Sequence, residues 1–290
     1  MGKSKIDYVD ESWQVVYGCT KVSHGCENCY AEQMANRIAG AGNDLYKGVV
    51  KEGKWSNDVK RLPLGHKNWG RPRRIQKPSR IFVCSMSDLF HPDVPFWHIK
   101  FALKEVLLNT RHQFLFLTKR PERMLKFFDD CFDIVDGPPE VVHFMDVENP
   151  EHQEVFCLAK LWPLKNLWLG TTVENQKFVP RIETLSSIPA HNRWVSMEPL
   201  LSRISLEQRH VENIDRFEIG GESGPKARPT MLSWIYDLVQ QIEKMNPFAE
   251  VRVKQLGSQW AKENGSKTYK GNDPSEWPVE YMRYGYPKDK

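Results

Sequence analysis

The chain has 290 residues, 40% hydrophobic and 27% charged, with a formal net charge of +4. This is ordinary globular composition with length enough for a large core, laid out as one big domain or two small ones. No run of about 18 apolar residues occurs, which excludes a membrane span, and the opening MGKSKIDYVDESW lacks the apolar stretch of a signal peptide, so a cytoplasmic protein is expected.

In chain order, WQVVYG (13–18) predicts a first strand and YAEQMANRIAG (30–40) a first helix. RIFVCSMSD (80–88) predicts a second strand and FWHIKFALKEVLLNT (96–110) a helix. QFLFLTKR (113–120) predicts a third strand, followed by a helix PERMLKFF (121–128) that Pro121 opens. HQEVFCLAKLW (152–162) reads as a further helix. NLWLGTTVEN (166–175), RWVSMEP (193–199), RFEIGGESG (216–224) and VRVKQLG (251–257) predict the remaining strands. MLSWIYDLVQQIEKM (231–245) is the helix before the last of them, with Thr230 as its expected N-cap.

Strands alternating with helices predict an α/β fold with a parallel sheet. The runs are nearly continuous in apolar residues, as strands covered on both faces should be. Seven such units point to a partial or complete parallel (β/α) barrel, with a doubly wound open sheet as the alternative. Residues 1–257 are read as a single barrel domain carrying a basic insertion at 41–79 and an acidic insertion at 129–154. Residues 258–290, with Trp260, Trp277, Tyr281, Tyr284 and Tyr286, are read as a C-terminal extension packed on the outside.

The small net charge hides an asymmetry. Residues 47–80 hold eleven Lys or Arg against Glu52 and Asp58, whereas residues 129–154 hold nine Asp or Glu and no Lys or Arg. The basic stretch includes Trp55 and Trp69 and ends in RPRRIQKPSR. Basic charge interleaved with aromatics suits a polyanion such as nucleic acid, with Arg71, Arg73 and Arg74 as candidate substrate contacts. A solvated insertion is the plainer reading.

In a parallel barrel, reactive groups sit where strands end. Here the strand ends carry Cys19; Ser85, Ser87 and Asp88; Lys119 and Arg120; Thr171, Thr172, Glu174 and Asn175; Ser196 and Glu198; Glu222 and Ser223; and Lys254 and Gln255. These groups are expected to converge on one rim.

Of the six cysteines, Cys19, Cys26 and Cys29 fall within eleven residues, in GCTKVSHGCENCYAE (18–32). A chain expected in a reducing compartment does not staple itself with disulfides, so this clustering points to metal ligation. Three thiolates can hold a 4Fe-4S cluster and leave one iron open. That iron can bind the amino and carboxylate groups of S-adenosyl-L-methionine (SAM). An electron from the cluster then cleaves SAM to methionine and a 5′-deoxyadenosyl radical able to abstract hydrogen from an unactivated carbon. A zinc site with His24 or a distant cysteine as fourth ligand is the alternative, although His24 lies only two residues before Cys26 and a single CxxC pair is present. Cys84, Cys131 and Cys157 read as small apolar residues.

The segment HGCENCYA (24–31) resembles the cluster loop of the spore photoproduct lyase branch of the radical SAM superfamily. CSMSDLFHP (84–92) is similar to that branch's second strand, FLTKRP (116–121) to its third, and TTVEN (171–175) stands in place of its Ser/Thr-rich fourth. The whole chain is still more similar to a phage- and bacteria-associated family of uncharacterised function, of the DUF5131 type. Its marks are the Gly-Cys-Thr-Lys-Val-Ser loop with three cysteines, Gly-Thr-Thr-Val-Glu-Asn, Ser-x-Glu-Pro-Leu, Gly-Gly-Glu-Ser-Gly and Lys-Gln-x-Gly, all present between Gly18 and Gly257. The loop departs from the usual Cys-x3-Cys-x2-Cys spacing by three extra residues in its first gap.

The resemblance implies a radical SAM barrel with a 4Fe-4S cluster on Cys19, Cys26 and Cys29. It also implies SAM held by Lys119 at its carboxylate and by Ser85, Ser87, Thr171, Thr172 and Glu174. Tyr30 is expected to cover the cluster or relay a hydrogen atom, packing over the loop being its alternative. Glu198 and Glu222 are expected to orient substrate or trade protons, or to anchor rim arginines such as Arg193 or Arg228. Gly220 and Gly221 allow close backbone approach to a ligand. Asp88 is expected to bind substrate or cap the following helix. The substrate expected is a nucleic-acid base or nucleotide, with phage DNA base hypermodification, rearrangement or photolesion repair as possible outcomes, and an electron-donor protein is the expected partner. A non-catalytic zinc or iron–sulfur nucleic-acid-binding protein, and a radical SAM enzyme for a small metabolite or peptide, are the other classes.

Overall fold

A computed structural model of the chain describes residues 6–133, 142–145, 153–156 and 162–286. Seven strands form the main sheet: β1 (Glu11–Trp13), β2 (Arg80–Val83), β3 (Gln113–Thr118), β4 (Leu167–Thr172), β5 (Asn192–Met197), β6 (Arg216–Gly220) and β7 (Glu250–Gln255). The helices are α1 (Tyr30–Gly40), α2 (Arg71–Arg74), α3 (Phe96–Leu108), α4 (Pro121–Asp133), α5 (Pro180–Ser187), α6 (Leu232–Met245), α7 (Ser258–Glu263) and α8 (Val279–Met282).

The strands lie side by side in the order of the sequence, β1-β2-β3-β4-β5-β6-β7. Parallel registers include Ser12 opposite Phe82, Ile81 opposite Phe114, Val195 opposite Phe217 and Phe217 opposite Val251. A doubly wound sheet reverses its strand order at a switch point; this one does not, so the fold is α/β of the partial (β/α) barrel class, open at β1 and β7. The register shifts between Ile219 and Gly220 at the end of β6, where Gly220 faces Gln255. No helix among the described residues is long and apolar enough to cross a membrane.

Two compact units divide the chain. In the first, made of residues 1–20, 35–169 and 187–192, Trp13, Ile81, Phe114 and Phe116 on β1–β3 are fully buried. The Trp13 ring meets Phe114 edge-on at 6.2 Å, and Phe127 of α4 meets Phe90 at 6.0 Å. Edge-to-face pairs of this kind add to the area they bury. The second unit holds residues 21–34, 170–186 and 193–290. Its core is Trp194, Met197, Phe217, Ile219 and Val253 of the sheet, with Ile235, Leu238 and Ile242 of α6. Gly170 of β4 is required there: a Cβ would stand 2.3 Å from the indole nitrogen of Trp194.

Four expectations need correction. The first strand ends at Trp13, not at residue 18, because Val16–Tyr17 pairs antiparallel with Lys60–Arg61 and Leu62 N donates to Val15 O at 2.9 Å. Trp55 and Trp69 are each 9% exposed, so these indoles of the basic stretch pack inside, Trp69 at 6.1 Å from Trp13 and donating to Pro63 O. Thr230 does not cap α6; its hydroxyl donates to Leu200 O at 2.9 Å, and Met231 precedes the helix without a side-chain cap. Gln153–Phe156 does not open a helix but pairs antiparallel with Val142–Met145, two segments whose Val and Phe favour an extended backbone. The rest of the acidic insertion after Asp133, and Cys157, lie outside the described residues. Residues 258–290, read as an outer extension, belong to the second unit, where Trp260, Trp277, Tyr281 and Tyr284 are buried.

Candidate functional site

The strand ends of the first unit gather around Arg120, the residue after Lys119 at the end of β3. Its Nη1 lies 2.6 Å from Asp88, and its Nη2 donates to Thr20 O and Thr20 Oγ1 at 3.0 and 2.8 Å. Asp88 also accepts from Thr118 Oγ1 at 2.7 Å and from Phe90 N at 2.9 Å. Burial works against the guanidinium charge, but Asp88, joined by the neighbouring Cys19 sulfur, outweighs it and holds Arg120 above its ordinary pKa. His91, 2.7 Å from Thr20 Oγ1, is pushed down by burial and by Arg120, so its ring is neutral. Asp88 therefore caps the turn at Phe90 and fixes Arg120.

Ser85 and Ser87, expected at SAM, turn inward in this unit. Ser85 Oγ lies 2.6 Å from Ser12 Oγ, and Ser87 Oγ donates to Val16 O at 2.7 Å. Cys84 is buried with a left-handed φ of 58°, and burial pushes its thiol up to about 11. Among the basic candidates, Arg71 lies 2.6 Å from Glu11 and Arg73 Nε donates to Glu105 at 2.9 Å, while Arg74 is exposed.

In the second unit a short turn of 3₁₀ helix, His24–Cys26, follows Ser23, and α1 begins directly after Cys29. Cys26 is buried, with its sulfur 3.7 Å from Ser23 Oγ. Arg228 clamps this turn. Its Nη2 donates to His24 O at 2.9 Å, its Nη1 meets Glu27 at 2.9 Å, and its Nε and Nη2 meet Glu222 at 2.9 and 2.6 Å. Asn28 donates to Glu222 at 3.1 Å and to Lys226 O at 2.8 Å. Burial opposes ionisation of Glu222, yet the Arg228 hydrogen bonds hold its carboxyl below the ordinary value. Of the two roles expected for Glu222, anchoring an arginine is the one its contacts match. Tyr30, at the start of α1, is 51% exposed.

Glu174 and Arg181 form a buried pair at 3.0 Å, and Arg181 also donates to Thr172 O. Glu174 packs under the cysteine turn: a Cβ on Gly25 would stand 3.0 Å from its carboxylate. Thr171 and Thr172 are 0% and 4% exposed. Glu198 accepts from Lys254 at 2.8 and 2.9 Å and from Gln255 at 2.5 Å. Burial opposes its charge and Lys254 outweighs that, so Glu198 is ionised. Gly221 approaches protein rather than ligand, since a Cβ there would lie 2.3 Å from Leu256 O.

Cys19, Cys26 and Cys29 are all unbridged. Three unbridged cysteines within eleven residues, one of them beside a cation, match in kind the donor set of a three-thiolate iron–sulfur site. Among the described residues no group of three or more His, Cys, Asp or Glu side chains stands ready to hold a metal ion.

A pocket of about 570 Å³ opens in the second unit, lined by His24, Asn175, Gln176, Lys177, Leu201, Ser202, Arg228, Pro229 and Trp234. These residues lie on the cysteine turn, on the segments after β4, β5 and β6, and, for Trp234, at the start of α6. Sequence reasoning missed Lys177 and Trp234, and it placed Arg120 at a strand end without a role. The basic residue beside Lys119 was the available signal for Arg120; the other two had none.

A family model described as "Protein of unknown function (DUF5131)" matches residues 3–278. No curated protein matches the chain. Among solved structures, a mutant of spore photoproduct lyase is similar at 12% identity with a TM-score of 0.43, over 86% of this chain and 64% of that one. Spore photoproduct lyase complexed with dinucleoside spore photoproduct is similar at 10% identity and 0.39, over 82% and 61%. The chain thus spans less than two thirds of either solved chain.

Proposed function

The chain belongs to the DUF5131 family, and from that premise we propose that it is a radical SAM enzyme acting on a nucleic-acid base or nucleotide. The observation that carries the reading is the set of three unbridged cysteines on the loop after the first strand of a partial parallel barrel. Cys19, Cys26 and Cys29 would hold a 4Fe-4S cluster, and Lys119, next to the fixed Arg120, would bind the SAM carboxylate as a compact point charge. When bound, the cluster and SAM supply one-electron cleavage of SAM to methionine and a 5′-deoxyadenosyl radical, the electron coming from a donor protein.

The protein's own residues set the conditions for that chemistry. Arg120, a cation neighbouring Cys19, is itself fixed by Asp88. Arg228 and Glu222 hold the His24–Cys26 turn, and Glu174 packs beneath it. Tyr30, at the start of α1 and 51% exposed, would cover the loop. The basic residues of 47–80 that are not held in ion pairs as Arg71 and Arg73 are, Arg74 among them, would supply the attraction to a polyanion.

The test is the iron, sulfide and zinc content of anaerobically purified protein, with its visible spectrum, beside a Cys26→Ala variant. About four irons per chain, lost in the variant, together with reductive SAM cleavage, is the expected result. One zinc and no sulfide after reconstitution would overturn the enzyme and leave a metal-braced nucleic-acid-binding protein. Full SAM cleavage with no binding to DNA or RNA would instead point to a metabolite or peptide substrate.

A further inference from the structure

We propose that the pocket of the second unit binds a nucleotide, its base against Trp234 and its phosphate at Lys177. The inference deepens the nucleic-acid part of the reading above by naming where a nucleotide sits. The lining divides by chemistry. Leu201, Pro229 and Trp234 form an apolar and aromatic wall; Asn175 and Ser202 add polar edges; His24, Lys177 and Arg228 are the basic groups; no carboxylate lines the pocket. A volume of about 570 Å³ lies within the range of small-ligand sites.

The side chains of Lys177 and Trp234 are uncommitted. The Lys177 ammonium has no carboxylate partner among the described residues; the group near it is the Phe178 ring, 5.8 Å away. Asn175 Oδ1 accepts from Lys177 N at 3.1 Å, which fixes the backbone from which that cation projects. Trp234, half-buried at the start of α6, has an indole N–H with no partner among the described residues. Other lining groups are already engaged: Arg228 on Glu222 and Glu27, and Gln176 on Ser205 in both directions. An uncommitted cation and an uncommitted indole lining one pocket without carboxylates suit a planar aromatic ring that carries an anion. Nucleobases stack on aromatic side chains whatever their sequence, and phosphates take lysine as a point charge.

The experiment is calorimetric titration of the full-length protein with the four nucleoside 5′-monophosphates, the matching nucleosides and SAM, in rising salt. Wild-type protein should bind the monophosphates more tightly than the nucleosides. Trp234→Ala should weaken both by about tenfold, and Trp234→Phe should restore most of that loss. Lys177→Gln should weaken only the phosphorylated ligands and reduce the salt slope by about one. Circular dichroism confirms that each variant is folded. No binding by wild-type protein, equal binding by wild type and all variants, or displacement of nucleotide by equimolar SAM would each overturn the proposal. Cluster content is read separately: nucleotide binding in protein that takes up no iron or sulfide even after anaerobic reconstitution supports the pocket while sinking the radical chemistry, and a full cluster with no nucleotide bound does the reverse.

Discussion

Asp88 and Arg120 meet at 2.6 Å with side chains only 7% and 11% exposed, and Arg120 in turn reaches both the carbonyl and the hydroxyl of Thr20. One carboxylate at the end of β2 thus fixes the residue that follows Cys19. A buried ion pair contributes little net stability over an apolar pair, but breaking it strands a charge. Asp88→Ala should therefore cost roughly 3 kcal/mol. Asp88→Ala with Arg120→Met should recover much of that loss. Urea denaturation of the two variants checks this; a single variant within about 0.5 kcal/mol of wild type would refute it.

Arg228 bridges Glu222, Glu27 and the carbonyl of His24. Groups that orient a metal-binding loop without touching the metal matter for retention. Arg228→Ala should weaken metal retention by about tenfold, read as the rate of iron or zinc loss to a chelator. Arg228→Lys, which cannot reproduce the forked contact, should fall between the variant and wild type. Unchanged loss rates would mean that the clamp does not position the loop.

Gly221 and Gly220 are adjacent but unequal. A Cβ at Gly221 would stand 2.3 Å from the backbone oxygen of Leu256, while one at Gly220 would meet the end of the Gln255 side chain at 3.3 Å. Gly221→Ala should cost about 1–3 kcal/mol, since β6 and β7 must part. Gly220→Ala should cost clearly less, because a side-chain amide can shift. Thermal melts of both variants test the order.

His98 is fully buried, with its Nε2 donating to Val15 O at 2.8 Å and no partner for Nδ1. Burial, aided by Arg61, lowers its pKa from 6.5 to about 4. The unfolded chain therefore binds the proton first, and stability present above pH 6.5 is lost as pH falls toward 4. His91 and His112, both lowered by burial, add to the same slope. Denaturation midpoints should drop across that window, and His98→Gln should flatten the drop. An equal slope in the variant would contradict the assignment.

Much of the sheet was legible because parallel strands covered on both faces read as apolar runs. The apolar openings of the runs 80–88, 113–120 and 216–224 became β2, β3 and β6, and each strand stops where its polar end begins. α1 matched its expected bounds, Tyr30–Gly40. Val16–Tyr17 was misassigned because an apolar run does not reveal which partner its backbone will take, and the partner lay some forty-five residues on, at Lys60–Arg61. The indoles of Trp55 and Trp69 looked like ligand contacts because charged neighbours mask burial in one dimension. The polar strand ends were legible as a set, but not their pairing. Arg228 was named among the arginines that Glu222 could anchor, but that Glu198 would turn to Lys254 depends on which loops face each other. Lys177 and Trp234 lie 57 residues apart in sequence with no shared motif, and only the pocket relates them.

The strand order has a consequence for biosynthesis. Each strand of the main sheet lies beside the one made before it, so a nascent chain leaving the ribosome finds its pairing partner already present. A sheet whose central strands came last would have to hold edges open and wait. Here the outer edge of β1 stays open throughout, while each interior strand leaves its second edge unpaired only until the next strand emerges, which shortens the β-aggregation hazard of those edges.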